Sequence, residues 1–289
     1  MERNLIHERE TGERTGLHRR SVLCIICILS LSLGACAATT SLKIVKYGDD
    51  GITILNETSA TYEWMEQNLP VHGDGSTHYY HQGPVFLDDP DPAIQEMLRW
   101  NAPEDKNVRE KDMGAVKGTN LRDLCDLVGG MSPGDTVKIR AADGFSREFA
   151  YRNVYYPPSG QGPLVVTWWK GDAGYVPDYR EGMRLVFFAD TRTNPWGIHA
   201  FGNWDWHESA DEQFWYYYRQ GDQKYPTTTG LSVQYISDIL IYSGSPSQSE
   251  PPRTTAPDVL EAPTQAGFSL HLIMGALGAG GFLAYNFKR

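Results

Sequence analysis

Residues 116–149 read VKGTNLRDLCDLVGGMSPGDTVKIRAADGFSREF. Every local signal in this stretch points to one unit: a capped helix, a break, an alternating strand and a tight hairpin. Thr119 or Asn120 can cap the helix, and Asp123 falls in its first turn, where the helix dipole favours a negative charge. Leu121, Leu124, Cys125 and Val128 recur at helical spacing on one face. Gly129-Gly130 ends the helix. Over residues 136–141, Val137, Ile139 and Ala141 alternate with Thr136, Lys138 and Arg140, the pattern of a half-buried strand. Asp143-Gly144 marks a two-residue turn, with Phe145 and Phe149 on the return strand.

Upstream, residues 41–55 read as a hairpin turning at Gly48-Asp49-Asp50-Gly51. Residues 57–68 suit a short helix ended by Leu69-Pro70. Residues 71–84, VHGDGSTHYYHQGP, read as a Gly-rich loop with three histidines, and residues 93–100 as helical. Downstream, LVVTWW (164–169) and RLVFFA (184–189) are short apolar runs that read as buried strands. Residues 229–242 alternate at Leu231, Val233 and Tyr235 and again at Ile239 and Ile241, so a final strand pair or one bent strand is expected. Short strands with a few helices make an α+β domain built on a mixed β-sheet.

The two ends read differently. Arg14, Arg19 and Arg20 precede the apolar run SVLCIICILSLSL (21–33), and small residues follow it, so residues 1–37 are expected to be a secretory signal segment. Leu33-Gly34-Ala35-Cys36 resembles a lipoprotein cleavage site with Cys36 as lipid acceptor; ordinary cleavage among residues 35–38 is the alternative. Residues 244–266, rich in Pro, Ser and Thr, read as an extended stalk. Residues 267–287 are almost wholly apolar and Lys288-Arg289 follow, which predicts a transmembrane helix with its basic end inside. Between these ends lie an N-terminal part of the ectodomain (41–113) and the unit at 114–243. The expected address is the cell surface, with the domain outside and the membrane as partner through the C-terminal segment. Asn56-Glu57-Thr58 is a glycosylation sequon consistent with that side. A net charge of −10 without a Lys/Arg-rich central run argues against nucleic acid as partner. With Cys24 and Cys27 in the apolar run, Cys125 is the cysteine left in the exposed domain, and an internal disulfide network is excluded.

Four stretches resemble the molybdopterin-binding domain of the sulfite oxidase family over residues 114–243. Lys117-Gly118-Thr119-Asn120-Leu121-Arg122-Asp123-Leu124 is similar to its Gly-x-x-Leu-x-x-Leu helix, and Ala142-Asp143-Gly144-Phe145 to its Ser-Asp-Gly-Tyr hairpin. Gly182-Met183-Arg184-Leu185-Val186 is similar to its Gly-x-Pro-x-Arg-Leu-Val segment, with residues 233–241 similar to its closing strand. The chain as a whole resembles surface proteins of methanogenic archaea, and Ala266-Gly267-Phe268 resembles their Pro-Gly-Phe sorting signal without the proline. The resemblance implies a molybdopterin scaffold. The family's metal-binding cysteine lies upstream of that helix, where residues 41–119 contain no cysteine. No catalytic residue carries over.

Two histidine clusters offer a transition-metal site instead. His78 and His81 are three apart and would face one ion on a helical turn; His199, Asp205 and His207 would join them if the fold brings both stretches together. The alternative is that these histidines bond loop backbone or lie exposed. The aromatic run at 204–218 is either a stacking surface for a flat ligand or an insertion packed over the sheet. The resulting expectation is a surface-anchored, non-catalytic binding or envelope protein with a small-molecule, glycan or envelope partner. The alternative is an oxidoreductase using molybdopterin or a histidine-held metal.

Overall fold

A computed structural model describes residues 39–100, 106–192 and 194–244. The signal segment, Cys36, residues 245–266 of the stalk and the apolar segment 267–287 lie outside the described residues. Strands β1 (Ser41–Tyr47) and β2 (Ile54–Thr61) form the expected hairpin, closed by a Gly48 N–H bond to the Thr53 carbonyl at 2.8 Å. Residues 57–61, read as helical from sequence, stay in β2 because β1 pairs with them through Ser41↔Thr61. Helix α1 (Tyr62–Asn68) starts only where the Thr61 hydroxyl accepts from Trp64 N–H at 3.2 Å.

The next stretch is not the loop that its glycines suggested. It holds β3 (Val71–His72) and β4 (His78–His81), both paired with β5 (Asp112–Asn120). Helix α2 (Pro92–Trp100) intervenes. The central unit follows its sequence closely. Helix α3 (Leu121–Asp126) is capped by Asn120, whose side-chain oxygen accepts from Arg122 N–H at 3.0 Å. Leu121, Leu124, Cys125 and Val128 are all buried. Gly130, at φ +69°, returns its N–H to the Cys125 carbonyl at 3.0 Å, a left-handed helix ending that glycine adopts at little cost. Strands β6 (Thr136–Ala141) and β7 (Ser146–Ala150) form the hairpin around Asp143-Gly144.

The remainder comprises α4 (Tyr151–Tyr155), β8 (Leu164–Lys170), β9 (Gly174–Tyr175), β10 (Arg184–Phe187), β11 (His199–Phe201), α5 (Asn203–Ser209), the β12 (Tyr217–Gln220)–β13 (Gln223–Pro226) hairpin and β14 (Ile236–Tyr242). One sheet has the order β2-β1-β14-β6-β7, with β1 and β14 parallel; the other runs β10-β8-β5-β4-β11, with β4 and β11 parallel. The final strand thus slots between the first strand and the central hairpin. Of residues 229–242, only Ile236–Tyr242 is strand: upstream, Val233 O and the N–H groups of Tyr235 and Ile236 bond to residues 181–185, outside any ladder.

One hydrophobic cluster draws on both sheets. Leu42, Ile44, Val137, Ile139, Phe149, Ile239 and Ile241 of the first meet Val166, Trp168, Leu185, Phe187 and Phe201 of the second, with the apolar face of α3 and Trp206 of α5. The architecture is an α+β mixed-sheet domain. Among the described residues no helix is long and apolar enough to cross a membrane.

Candidate ligand-binding cleft

Strands β4, β5 and β8 meet where the β4–β5 register slips between Tyr79 and Tyr80. A cleft of about 500 Å³ opens there, lined by Gly75, Ser76, His78, Asp112, Gly114, Lys170 and Asp172. Gly114 sits at φ +95°, and a Cβ on it would come within 2.6 Å of the Lys170 side chain, so a larger residue would both strain the backbone and push into the cleft wall. The loop before β4 is fixed by Asp74, which accepts from Ser76 N–H and Thr77 N–H, each at 2.7 Å. The Thr77 and Ser76 bonds hold its carboxyl far below the usual carboxylate range.

Asp112 orients the cleft's histidine. Its Oδ2 accepts from His78 Nδ1 at 2.7 Å, and its Oδ1 accepts from Gly114 N–H at 2.7 Å. A carboxylate only accepts, so Nδ1 carries the proton, and in the neutral ring Nε2 is a lone-pair acceptor. The His78 side chain is half exposed, which leaves the ring open to a ligand. Lys170 Nζ lies 3.4 Å from Glu181 and 3.9 Å from Asp172, contacts long enough for an incoming acceptor to compete with them. The set can therefore accept a hydrogen bond at His78 and donate one from Lys170. Among the described residues no serine hydroxyl or cysteine thiol is hydrogen-bonded to His78.

The expected metal set is not assembled. His78 and His81 stand on a strand, not a helical turn, so a spacing of three sends them to opposite faces. His81 is fully buried, edge-on to Phe187 and Phe201, and its Nε2 accepts from Phe187 N–H at 3.2 Å. Burial, then the nearby Arg184 charge, lower its pKa to about 3, so the ring is neutral. The two stretches do come together, with β11 beside β4 and His199 opposite Tyr79. Yet His199 Nδ1 donates to the Ala189 carbonyl at 2.8 Å. His207 pairs with Glu208 at 2.9 Å and is stacked between Trp204 and Trp215. Asp205 accepts from Gly202 N–H at 3.0 Å. Among the described residues no group of three His, Cys, Asp or Glu is placed to hold a metal.

Molybdopterin fares no better as a fit. The cysteine ligand that the sulfite oxidase resemblance gives its molybdenum is not offered by Cys125, which is sealed inside the core, where burial pushes its thiol up. Most of the aromatic run is packing: Trp206 and Phe214 are buried, and Trp206 meets Phe149, Phe187 and Phe201 edge-on. Asn56 is exposed on β2.

The sequence reading missed Asp112 and Lys170. A faint signal existed in Asp112-x-Gly114 and Lys170-Gly171-Asp172, each a charge beside a glycine at a strand end. It also missed a buried latch. Asn203 N–H donates to Gln82 Oε1 at 2.8 Å, Thr228 N–H to Asn203 Oδ1 at 3.0 Å, and Gln82 N–H to Thr228 Oγ1 at 2.8 Å. The latch ties the end of β4 to α5. No protein-family model matches the chain, and no curated protein matches it.

Proposed function

We propose that the chain is a non-catalytic binding protein of a cell surface, held at the outer face of a membrane by residues 267–287. On this reading the His78–Asp112–Lys170 cleft takes a small polar ligand or an envelope glycan. The scaffold is a divergent relative of the sulfite oxidase molybdopterin-binding domain. Its support is the order of capped helix, strand, Asp-Gly hairpin, paired strands β8 and β10 and closing strand β14 within residues 114–243. Export is supported by the apolar run at 21–33, and anchoring by the apolar segment with its basic end.

The observation that carries the reading is the position of Cys125: it is packed with Leu121, Leu124 and Phe149, so the thiol serves the core as a small hydrophobe. The test is to make the full-length chain in a host that synthesises molybdopterin and to measure bound metals and pterin. We expect neither to be stoichiometric. One molybdenum per chain overturns the reading. Ligand binding lost in His78→Ala and in Lys170→Ala places the ligand in the cleft.

A further inference from the structure

We propose that Arg147 anchors a ligand site separate from the cleft, a small pocket beside β7 that takes an organic carboxylate. The pocket shares no residue with the His78–Asp112–Lys170 set, and its chemistry is the same whether or not the chain is held at a membrane.

The cavity measures about 220 Å³ and is lined by Ser146, Arg147, Glu148, Gln213, Trp215 and Tyr216. Arg147 and Glu148 are neighbours on β7, so their side chains leave opposite faces of the strand. Glu148 crosses to Lys138 of β6, at 2.7 Å. Arg147 leaves on the face of buried Phe149, toward Tyr216 and Gly230.

The guanidinium is fixed in place. Its carbon sits 4.1 Å from the Phe145 ring centre and 3.9 Å from that of Tyr216, so the plane is held between two rings. Nε donates to the Gly230 carbonyl at 2.9 Å and Nη1 to the Ser146 carbonyl at 2.7 Å. Gly230 also admits the second ring, because a Cβ there would collide with Tyr216. Phe145 is 40% exposed, and the Asp143 carboxylate holds its N–H at 2.9 Å, so an apolar ring is kept at the surface where it covers one face of the cation.

The charge is held but not paired. Both bonded acceptors are neutral carbonyls, which take only part of the guanidinium's fan of N–H donors. Among the described residues no carboxylate forms an ion pair with Arg147; Glu148 and Asp211 are engaged with Lys138 and Arg152 instead. Burial pushes the guanidinium's pKa down, opposed by Tyr216 and by no acid. A cation with little water and no counter-charge gains from an anion that enters beside it. The pocket's own charge selects the class. A planar fork matches a carboxylate, and a single cation beside Glu148 suits one negative charge better than the two of a phosphate. Ser146 and Gln213 can bond polar groups on the rest of the ligand.

The test is nitrogen–proton NMR of the arginine side chains in the full-length chain, titrated with sodium acetate at constant ionic strength. Arg147→Lys identifies the Arg147 Nε–H peak by deleting it. Phe145→Ala, altered at an exposed position, identifies the same peak independently by removing that ring's shielding. The expected result is a saturable shift of this peak with acetate, none with acetamide, and a severalfold weaker acetate response in Phe145→Ala. No shift, or one that grows without saturating, overturns the site. A saturable response confined to other arginines places the carboxylate elsewhere and overturns it too. Phosphate acting at concentrations as low as acetate overturns the assignment of a carboxylate ligand.

Discussion

His78 Nδ1 lies 2.7 Å from Asp112 Oδ2, a bond that crosses from β4 to β5 and joins residues 34 apart in the chain. It turns a half-exposed surface histidine into one with a fixed tautomer. The consequence is measurable. In Asp112→Asn the amide can donate as well as accept, so the ring is no longer restricted to the Nδ1–H form. Imidazole nitrogen chemical shifts should show one tautomer in the parent and a mixture in the variant. Stability should change by less than about 1 kcal/mol, because the bond joins two largely exposed side chains, where water replaces it readily. An unchanged tautomer would remove Asp112 from this role.

His81 gives the domain an acid-side weakness. Its folded pKa is depressed to about 3 by burial, below the ordinary value of 6.5. Between those two values the unfolded chain binds the proton and the folded chain does not. The stability from this group is therefore complete above pH 6.5 and declines as pH falls toward 3, by several kcal/mol at most. Urea midpoints should drop across that window, and the drop should be shallower in His81→Gln, which does not titrate and keeps an acceptor for Phe187 N–H.

Cys125 should resist alkylation in the folded chain. Its side chain is fully buried and its thiol is pushed up by that burial, so the reactive thiolate is scarce and unreachable. Site-resolved mass spectrometry after maleimide treatment should find Cys125 unmodified in buffer and modified in denaturant. Cys125→Ser should cost about 1–3 kcal/mol by placing a hydroxyl among apolar neighbours. Rapid labelling of the folded chain would mean that the α3 face opens.

Helix α3 is held at its start and along its buried face. Asn120→Ala removes the bond to Arg122 N–H and should cost about 1 kcal/mol. Leu124→Ala empties a fully buried position and should cost about 2–5 kcal/mol. Thermal unfolding of the two single variants checks the order. A larger loss in the cap variant would contradict the burial argument.

What the sequence determined by itself was the local unit at residues 116–149. The Asn120 cap, the buried face of Leu121, Leu124 and Cys125, the limits of β6 and the Asp143-Gly144 turn all follow from interactions within four residues. Where a competing partner came from far away, reading failed. Residues 57–61 joined a strand because β1 lay beside them, and His78 and His81 parted because β5 and β11 made their loop a strand. The cleft needed tertiary structure altogether, since His78, Asp112 and Lys170 come from three strands. Strand pairing is chosen by which apolar faces remain to be buried, a property of the whole chain that no short window contains. The same holds for β14, which reaches its parallel place beside β1 only after every other strand of that sheet has been laid down in sequence.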